Sequence, residues 1–272
     1  MLRRFFPLFA LGLNALAVPA ASAHYNMLLP ESAFARRGQA ITLVYQWGHP
    51  YEHQLFDAPR PESLWVVAPD GQQTELTNKL EKTTVAGDGG KPVTAYRLRF
   101  TPHERGDFVF LLQTPPIWME EEQQYFQDLV KVVLHVQVQK GWDREVGESF
   151  QVVPLTRPYG LEAGMAFQAQ VLTTGRPGRG RPAKPAAGGL VEVERYNARR
   201  PAKLPPDEFI TRTARADPNG VVTATLPEAG WWAITGQQLD DEQRDHQGKM
   251  YPVLRRCTLW IPVAAKLNPS AK

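Results

Sequence analysis

The sequence has one cysteine, no long apolar run and no stretch of sustained helical periodicity. A lone Cys257 excludes an intrachain disulfide and, with no Cys-x-x-Cys, a cysteine-built zinc site. It lies far from any amino-terminal cleavage site, so it is not a lipoprotein cysteine. Within Leu254-Arg-Arg-Cys-Thr-Leu-Trp-Ile-Pro262 it reads as the buried, inert thiol of a strand. The apolar run Phe5–Val18 is interrupted by Pro7 and Asn14 and is too short to cross a membrane, so the chain is not expected to be transmembrane. Charge of one sign is also lacking. The first 23 residues carry two of the 31 basic side chains and no acid, which leaves 29 against 28 acidic ones. No nucleic-acid partner is expected. The basic stretch Arg176–Lys184 is rich in Gly and Pro and reads as a solvated insertion. Gly-x-Ser-x-Gly, the P-loop, Gly-x-Gly-x-x-Gly and His-Glu-x-x-His are all absent. Glu120-Glu121-Glu122 reads as a solvated face or connector, with Met119–Asp128 a short helix or acidic link. The chain is not expected to be an enzyme.

What is present begins with a secretory signal over residues 1–23. Arg3 and Arg4 start it, Phe5–Val18 form its apolar core, and Ala21-Ser22-Ala23 is a small-residue cleavage site. Cleavage there exports the protein, in a bacterial setting to the periplasm, and makes His24 the first residue. Its α-amine, with an ordinary pKa of about 8, then stands beside an imidazole of about 6.5. Both nitrogens can chelate one borderline metal ion. The 24 Pro and 21 Gly punctuate short runs rich in Val, Leu, Phe, Thr and Tyr. Strands are expected near 25–29, 40–47, 65–68, 94–100, 108–113, 129–138, 150–156, 166–172, 190–196, 221–226, 230–235 and 257–263. Asp70-Gly71 and Asp217-Pro-Asn-Gly220 mark turns, and Lys79–Lys91 reads as an exposed loop. The pattern predicts an all-β protein of two immunoglobulin-like or transthyretin-like β-sandwich domains, 24–156 and 157–265.

Four stretches carry a family resemblance: His24-Tyr-Asn-Met-Leu-Leu-Pro30, Gly48-His-Pro-Tyr-Glu52, Val152-Val-Pro-Leu-Thr-Arg-Pro-Tyr-Gly160, and Asp217-x-Asn-Gly followed by Gly230-Trp-Trp. Together they resemble the periplasmic component associated with ABC-type cobalt/nickel uptake systems, a family also known as a domain of unknown function. The resemblance runs from about 24 to 264. It implies an exported β-sandwich that binds Ni²⁺ or Co²⁺, or hands it to a membrane metal-uptake transporter. The second half is similar to transthyretin-like or carboxypeptidase-regulatory-like modules.

His24, His49 and His53 are the candidate ligands. His49 sits where the family motif places its histidine. Where the family tends to have a histidine just before the strand 129–138, this chain has Asp128, an oxygen donor. Glu52 is a candidate to hold a histidine in place from outside. His103, His135 and His246 are assigned to a turn, a satisfied strand position and a solvated stretch. Other readings stay open: a Cu²⁺ carrier that likewise begins with histidine, an oxidative copper brace with His49 as the second ring, and an interaction or adhesion module whose histidines are incidental.

Overall fold

A computed structural model describes residues 24–174 and 182–266. The signal at 1–23 and most of the basic stretch 176–184 lie outside the described residues.

Twenty strands and three short 3₁₀ turns follow one another among the described residues. They are β1 Tyr25–Pro30, β2 Phe34–Ala35, β3 Ile41–His49, β4 Gln54–Phe56, β5 Ser63–Val67, β6 Gln73–Glu75, β7 Glu81–Ala86, β8 Pro92–Phe100, β9 Gly106–Gln113 and β10 Ile117–Met119. After these come β11 Gln124–Val136, β12 Phe150–Pro154, β13 Leu161–Glu162, β14 Met165–Thr173, β15 Lys184–Pro185, β16 Leu190–Tyr196, β17 Arg212–Arg215, β18 Val221–Leu226, β19 Gly230–His246 and β20 Lys249–Ala264. The all-β expectation is met.

Three sheets form. The first has the order β1-β3-β8-β7, with β4 on β3; the third has β12-β14-β15, with β18 on β14. Between them runs one long sheet, β17-β16-β19-β20-β11-β9-β5-β6, with β2 and β10 also paired to β11 and β13 to β20. Alternation explains how a single sheet serves two cores, because successive side chains in a strand point to opposite faces. In β18, Val222, Ala224 and Leu226 are buried while Thr223 and Thr225 are exposed.

The first sheet packs Tyr25, Met27, Ile41, Leu43 and Tyr45 against Leu64, Phe108, Phe110, Val130, Val132 and Trp260 of the long sheet. The third packs Val152, Phe167, Ala169 and Val171 against Val191, Ile234, Cys257, Leu259 and Ile261. A smaller core of Val67, Val109, Leu111, Val133, Val146 and Tyr159 covers the far side of β5, β9 and β11.

The halves join through β11 and β20, which pair in parallel from Tyr125↔Val253 to Val132↔Trp260. Trp260, late in the chain, therefore fills the core of the early residues. Two segments differ from their expected form. Residues 81–86 of the polar 79–91 stretch form β7, an edge strand paired with β8. Its alternating Thr83 and Val85 lean toward the core while the charges face solvent, so low hydrophobicity hid a strand. Residues 119–128 are neither helix nor connector. Met119 ends β10, a turn carries Glu120–Glu122, and β11 starts at Gln124.

Candidate metal centre

The antiparallel ladder of β1 on β3 sets the geometry. Tyr25 lies opposite Gly48 and Asn26 opposite Trp47, so one step further the ladder carries residue 24 to residue 49. The two imidazoles meet there, ring centroids 4.4 Å apart and planes 70° to one another. Gly48 makes the turn from β3 into β4 feasible. It has φ +150°, and a Cβ at this position would fall 2.1 Å from the Gln54 carbonyl oxygen. Trp47 and Phe56 close around the pair: Trp47 stacks on His24 at 5.5 Å, and Phe56 sits 5.6 Å from His24 and 5.3 Å from His49.

Nδ1 of His24 and Nε2 of His49, like Nδ1 of His53, are buried and have no hydrogen-bond partner among the described residues. A buried polar atom left unpaired costs roughly 1–3 kcal/mol, and a ligand able to accept both lone pairs would offset that cost. Burial lowers the pKa of the His24 imidazole to about 4, with the charges of His49 and Arg256 adding to the shift. His24 is therefore neutral at pH 7 and has a lone pair to give. Two imidazole nitrogens, with the amine that cleavage before His24 would free, form an all-nitrogen donor set of the kind Ni²⁺ and Cu²⁺ accept.

The other expected ligands lie elsewhere, and among the described residues no three His, Cys, Asp or Glu side chains converge on one point. His53 has φ +51° and turns its ring onto Tyr196, at 5.9 Å. Asp128 is committed to other partners. Its Oδ1 accepts from Nε of Arg256 at 2.7 Å, and its Oδ2 accepts from Nη2 of Arg256 and Nδ2 of Asn26, both at 2.6 Å. A carboxylate bound this way is not brought to the histidine pair. It acts through Arg256, whose Nη2 also donates to the His24 carbonyl at 2.7 Å. Glu52 Oε2 is buried without a partner among the described residues, and its charge helps to raise the pKa of Glu194.

Residues the sequence did not single out fix the pair from the second half. Tyr25 donates to Glu192 at 3.1 Å, and the Trp260 indole to the Asn26 carbonyl at 3.1 Å. Behind His49, the Tyr51 amide donates to Glu194 at 3.3 Å. Asn197 holds both the Pro50 carbonyl, through its backbone amide at 2.9 Å, and the Tyr51 carbonyl, through its side chain at 2.6 Å. Glu194 is fully buried, which pushes its pKa up to about 8 against the opposing hydrogen bond from Thr211. In the sequence Leu190–Tyr196 reads as a half-exposed strand. Its polar face, Glu192, Glu194 and Tyr196, is covered instead by β1 and the 50–53 turn. The i, i+2 spacing of two acids opposite Val191 and Val193 is the only sequence signal of that role.

The remaining histidines have partners. His135 Nδ1 lies 2.7 Å from Asp107, and its ring stacks on Tyr159 at 4.2 Å. His246 stacks on Trp118 at 3.8 Å, and His103 sits 3.7 Å from Glu104.

Among solved structures, Salmonella alpha-2-macroglobulin reacted with methylamine aligns over 89% of this chain at 17% identity and TM-score 0.27. This chain spans only 15% of that protein's length. A DUF4785 family protein from Legionella pneumophila aligns over 85% of this chain and 57% of its own, at 12% identity and TM-score 0.27. The two immunoglobulin domains of DIP-gamma align over 90% of this chain and 98% of their own, at 9% identity and TM-score 0.21. At such scores none of these likenesses carries fold detail or function over to this chain. No curated protein matches it. A family profile does match, across residues 21–238 and so across both sandwiches, and the chain belongs to that family, the domain of unknown function DUF4198.

Proposed function

We propose that this protein is an exported metal-ion binder that captures a divalent transition-metal ion at His24 and His49 and hands it to a membrane uptake transporter. Ni²⁺ is the first candidate cargo, with Co²⁺ beside it. The observation that carries this reading is the pair of buried, unpartnered ring nitrogens on touching imidazoles. Hydrogen-bonded histidines such as His135 need no metal, whereas these two ring nitrogens have no partner among the described residues. The donor set is neutral nitrogen, with no thiolate and no carboxylate, and so suits an ion that must later be released.

A second reading, carriage of Cu²⁺, is favoured by the 70° angle between the rings. Two imidazoles at a steep angle, completed by an amine, suit a tetragonal ion, and Cu²⁺ outranks Ni²⁺ at any such site.

The test is calorimetric titration of Ni²⁺, Co²⁺ and Cu²⁺ into protein processed to begin at His24, beside His49→Ala. One-to-one binding that weakens at least about 100-fold in the variant is expected, since loss even of an outer partner weakens metal sites by 10–100-fold. Equal binding by both proteins would remove His49 from the site.

A further inference from the structure

Beside β17, the edge strand of the long sheet, lies a pocket that the metal reading does not use. It has a volume of about 380 Å³ and is lined by Trp232, Phe209 and Ile210 together with the charged side chains of Arg195, Arg212 and Glu228. That volume falls within the range of about 300–1,000 Å³ typical of small-molecule sites. Strand register brings the two cations together. Arg195 of β16 lies opposite Trp232 of β19, and Arg212 of β17 lies opposite Val193, two residues before Arg195. Directly paired residues, and residues two apart on one strand, share a face of the sheet. Arg195, Arg212 and Trp232 therefore stand on the face that carries Val193 into the second core. The 3₁₀ turn Asp207–Phe209 just before β17 leaves Phe209 70% exposed at the pocket.

The charges of this lining do not balance. Glu228 pairs with Nη1 of Arg195 at 2.7 Å, and Nε of Arg195 donates to the Ala229 carbonyl at 3.0 Å. Arg212 has no ion pair among the described residues. Its guanidinium lies over the Trp232 ring at 4.8 Å, and its Nη1 donates to the Thr225 carbonyl at 3.1 Å. Its Nη2 is buried and has no hydrogen-bond partner among the described residues. Burial lowers the pKa of Arg212, and the charge of Glu228 only partly opposes that shift. A guanidinium still keeps its proton at neutral pH. A charge partly withdrawn from water and left without a counter-ion is costly, and a carboxylate is the partner its forked donors fit.

We infer that this pocket binds a small aromatic carboxylate. The carboxylate pairs with Arg212, and the ring lies among Trp232, Phe209 and Ile210. Two arginines against one glutamate leave a single positive charge, which matches a monoanion better than a phosphate dianion. The walls are aromatic and aliphatic, which suits a flat apolar body rather than a sugar or a polyanion. The inference stands apart from the metal reading, since none of the candidate metal ligands takes part in it.

The experiment is equilibrium dialysis of the purified protein with isotope-labelled phenylacetate and, separately, with labelled phenylacetamide, which has the same shape without the charge. Arg212→Gln and Phe209→Ser are run alongside. Arg212→Gln keeps a donor for the Thr225 carbonyl and removes the cation; Phe209→Ser alters an exposed side chain. The expected result is one phenylacetate bound per protein, with phenylacetamide at least about tenfold weaker. Phenylacetate affinity should fall at least about tenfold in Arg212→Gln and about threefold in Phe209→Ser. Equal affinity for the acid and the amide would overturn the carboxylate assignment. Affinity unchanged in either variant would overturn the placement in this pocket, and Phe209→Ser decides that point if Arg212→Gln does not fold. No retention of phenylacetate would overturn the inference outright.

Discussion

His24 is part-buried and Glu194 fully buried, and burial shifts their pKa values in opposite directions. The neutral imidazole of His24 persists in the fold down to about pH 4, whereas an unfolded histidine takes up its proton near 6.5. Between those values the unfolded chain binds the extra proton, so this contribution to stability is complete above 6.5 and is lost as pH falls through 4. Glu194 works the other way. Its carboxyl keeps a proton in the fold up to about pH 8, against an ordinary 4.5. Its contribution is complete below 4.5 and is lost as pH rises through 8.

Glu194→Gln copies the protonated form: a Gln oxygen accepts the Tyr51 amide and its amino group donates to the Thr211 hydroxyl. The variant is expected to melt higher than wild type at pH 8, by roughly 2–4 °C for each kcal/mol gained, and to match it at pH 4.5. Thermal melts across that range check this; a wild-type advantage at pH 8 would refute it. The orphaned nitrogens make a separate prediction. Because His49 Nε2 has no hydrogen bond to lose, His49→Ala should cost little stability, about 1 kcal/mol or less, while removing metal binding. Urea titration of the apo-protein tests the first half.

At the scale of elements, two junctions hold the site, and their legibility in the sequence differed. The turn after Gly48 was visible as a break in a β-branched strand, and the β1–β3 ladder follows from ordinary antiparallel pairing. That is why His24 and His49 could be brought together on paper. The parallel pairing of β11 with β20 was not visible. Asp128 meets Arg256 across 128 residues of chain, and nothing local to either position announces the partner. Only the family resemblance puts Asp128 at a ligand position; in the fold its carboxylate is taken up by Arg256. His53 misleads in a similar way, since its closeness in sequence to His49 gives no hint of the left-handed turn that sends it to Tyr196.

Asp128 and Arg256 are 1% and 2% exposed. Asp128→Ala therefore strands a buried guanidinium and is expected to destabilise by about 3–5 kcal/mol, read as a fall in denaturation midpoint. At the other junction, Gly48→Ala places a methyl 2.1 Å from a backbone oxygen. It should lose at least about 1 kcal/mol and, unlike His49→Ala, should weaken metal binding and stability together.

The whole molecule is two sandwiches that share one sheet. Sequence punctuation marked the strands well, because Gly, Pro and β-branched runs act locally. It was silent on the shared sheet, which depends on strands far apart in the chain. The consequence for the site is direct. His24 and the His49 turn belong to the first half, but Glu192, Glu194, Asn197, Arg256 and Trp260 of the second half hold their backbones and neighbours in place. On the proposed metal reading, ion binding at this seam would be tied to the packing of both halves. Unfolding should accordingly be one transition, with tryptophan fluorescence and far-ultraviolet circular dichroism coincident. Two separated transitions would show that the shared sheet does not couple the halves.

The central proposal is that the amine that cleavage before His24 would free and the two touching imidazoles form one metal site. The most direct measurement is calorimetric titration of Ni²⁺ and Cu²⁺ into protein that begins at His24 and into the same protein with one alanine added before it. The added residue leaves both rings in place and moves only the amine. Tight one-to-one binding by the first protein, weakened at least about 100-fold in the second, is the predicted result, with Cu²⁺ above Ni²⁺ in affinity. Binding that ignores the added alanine, or no binding by either protein, would contradict the account.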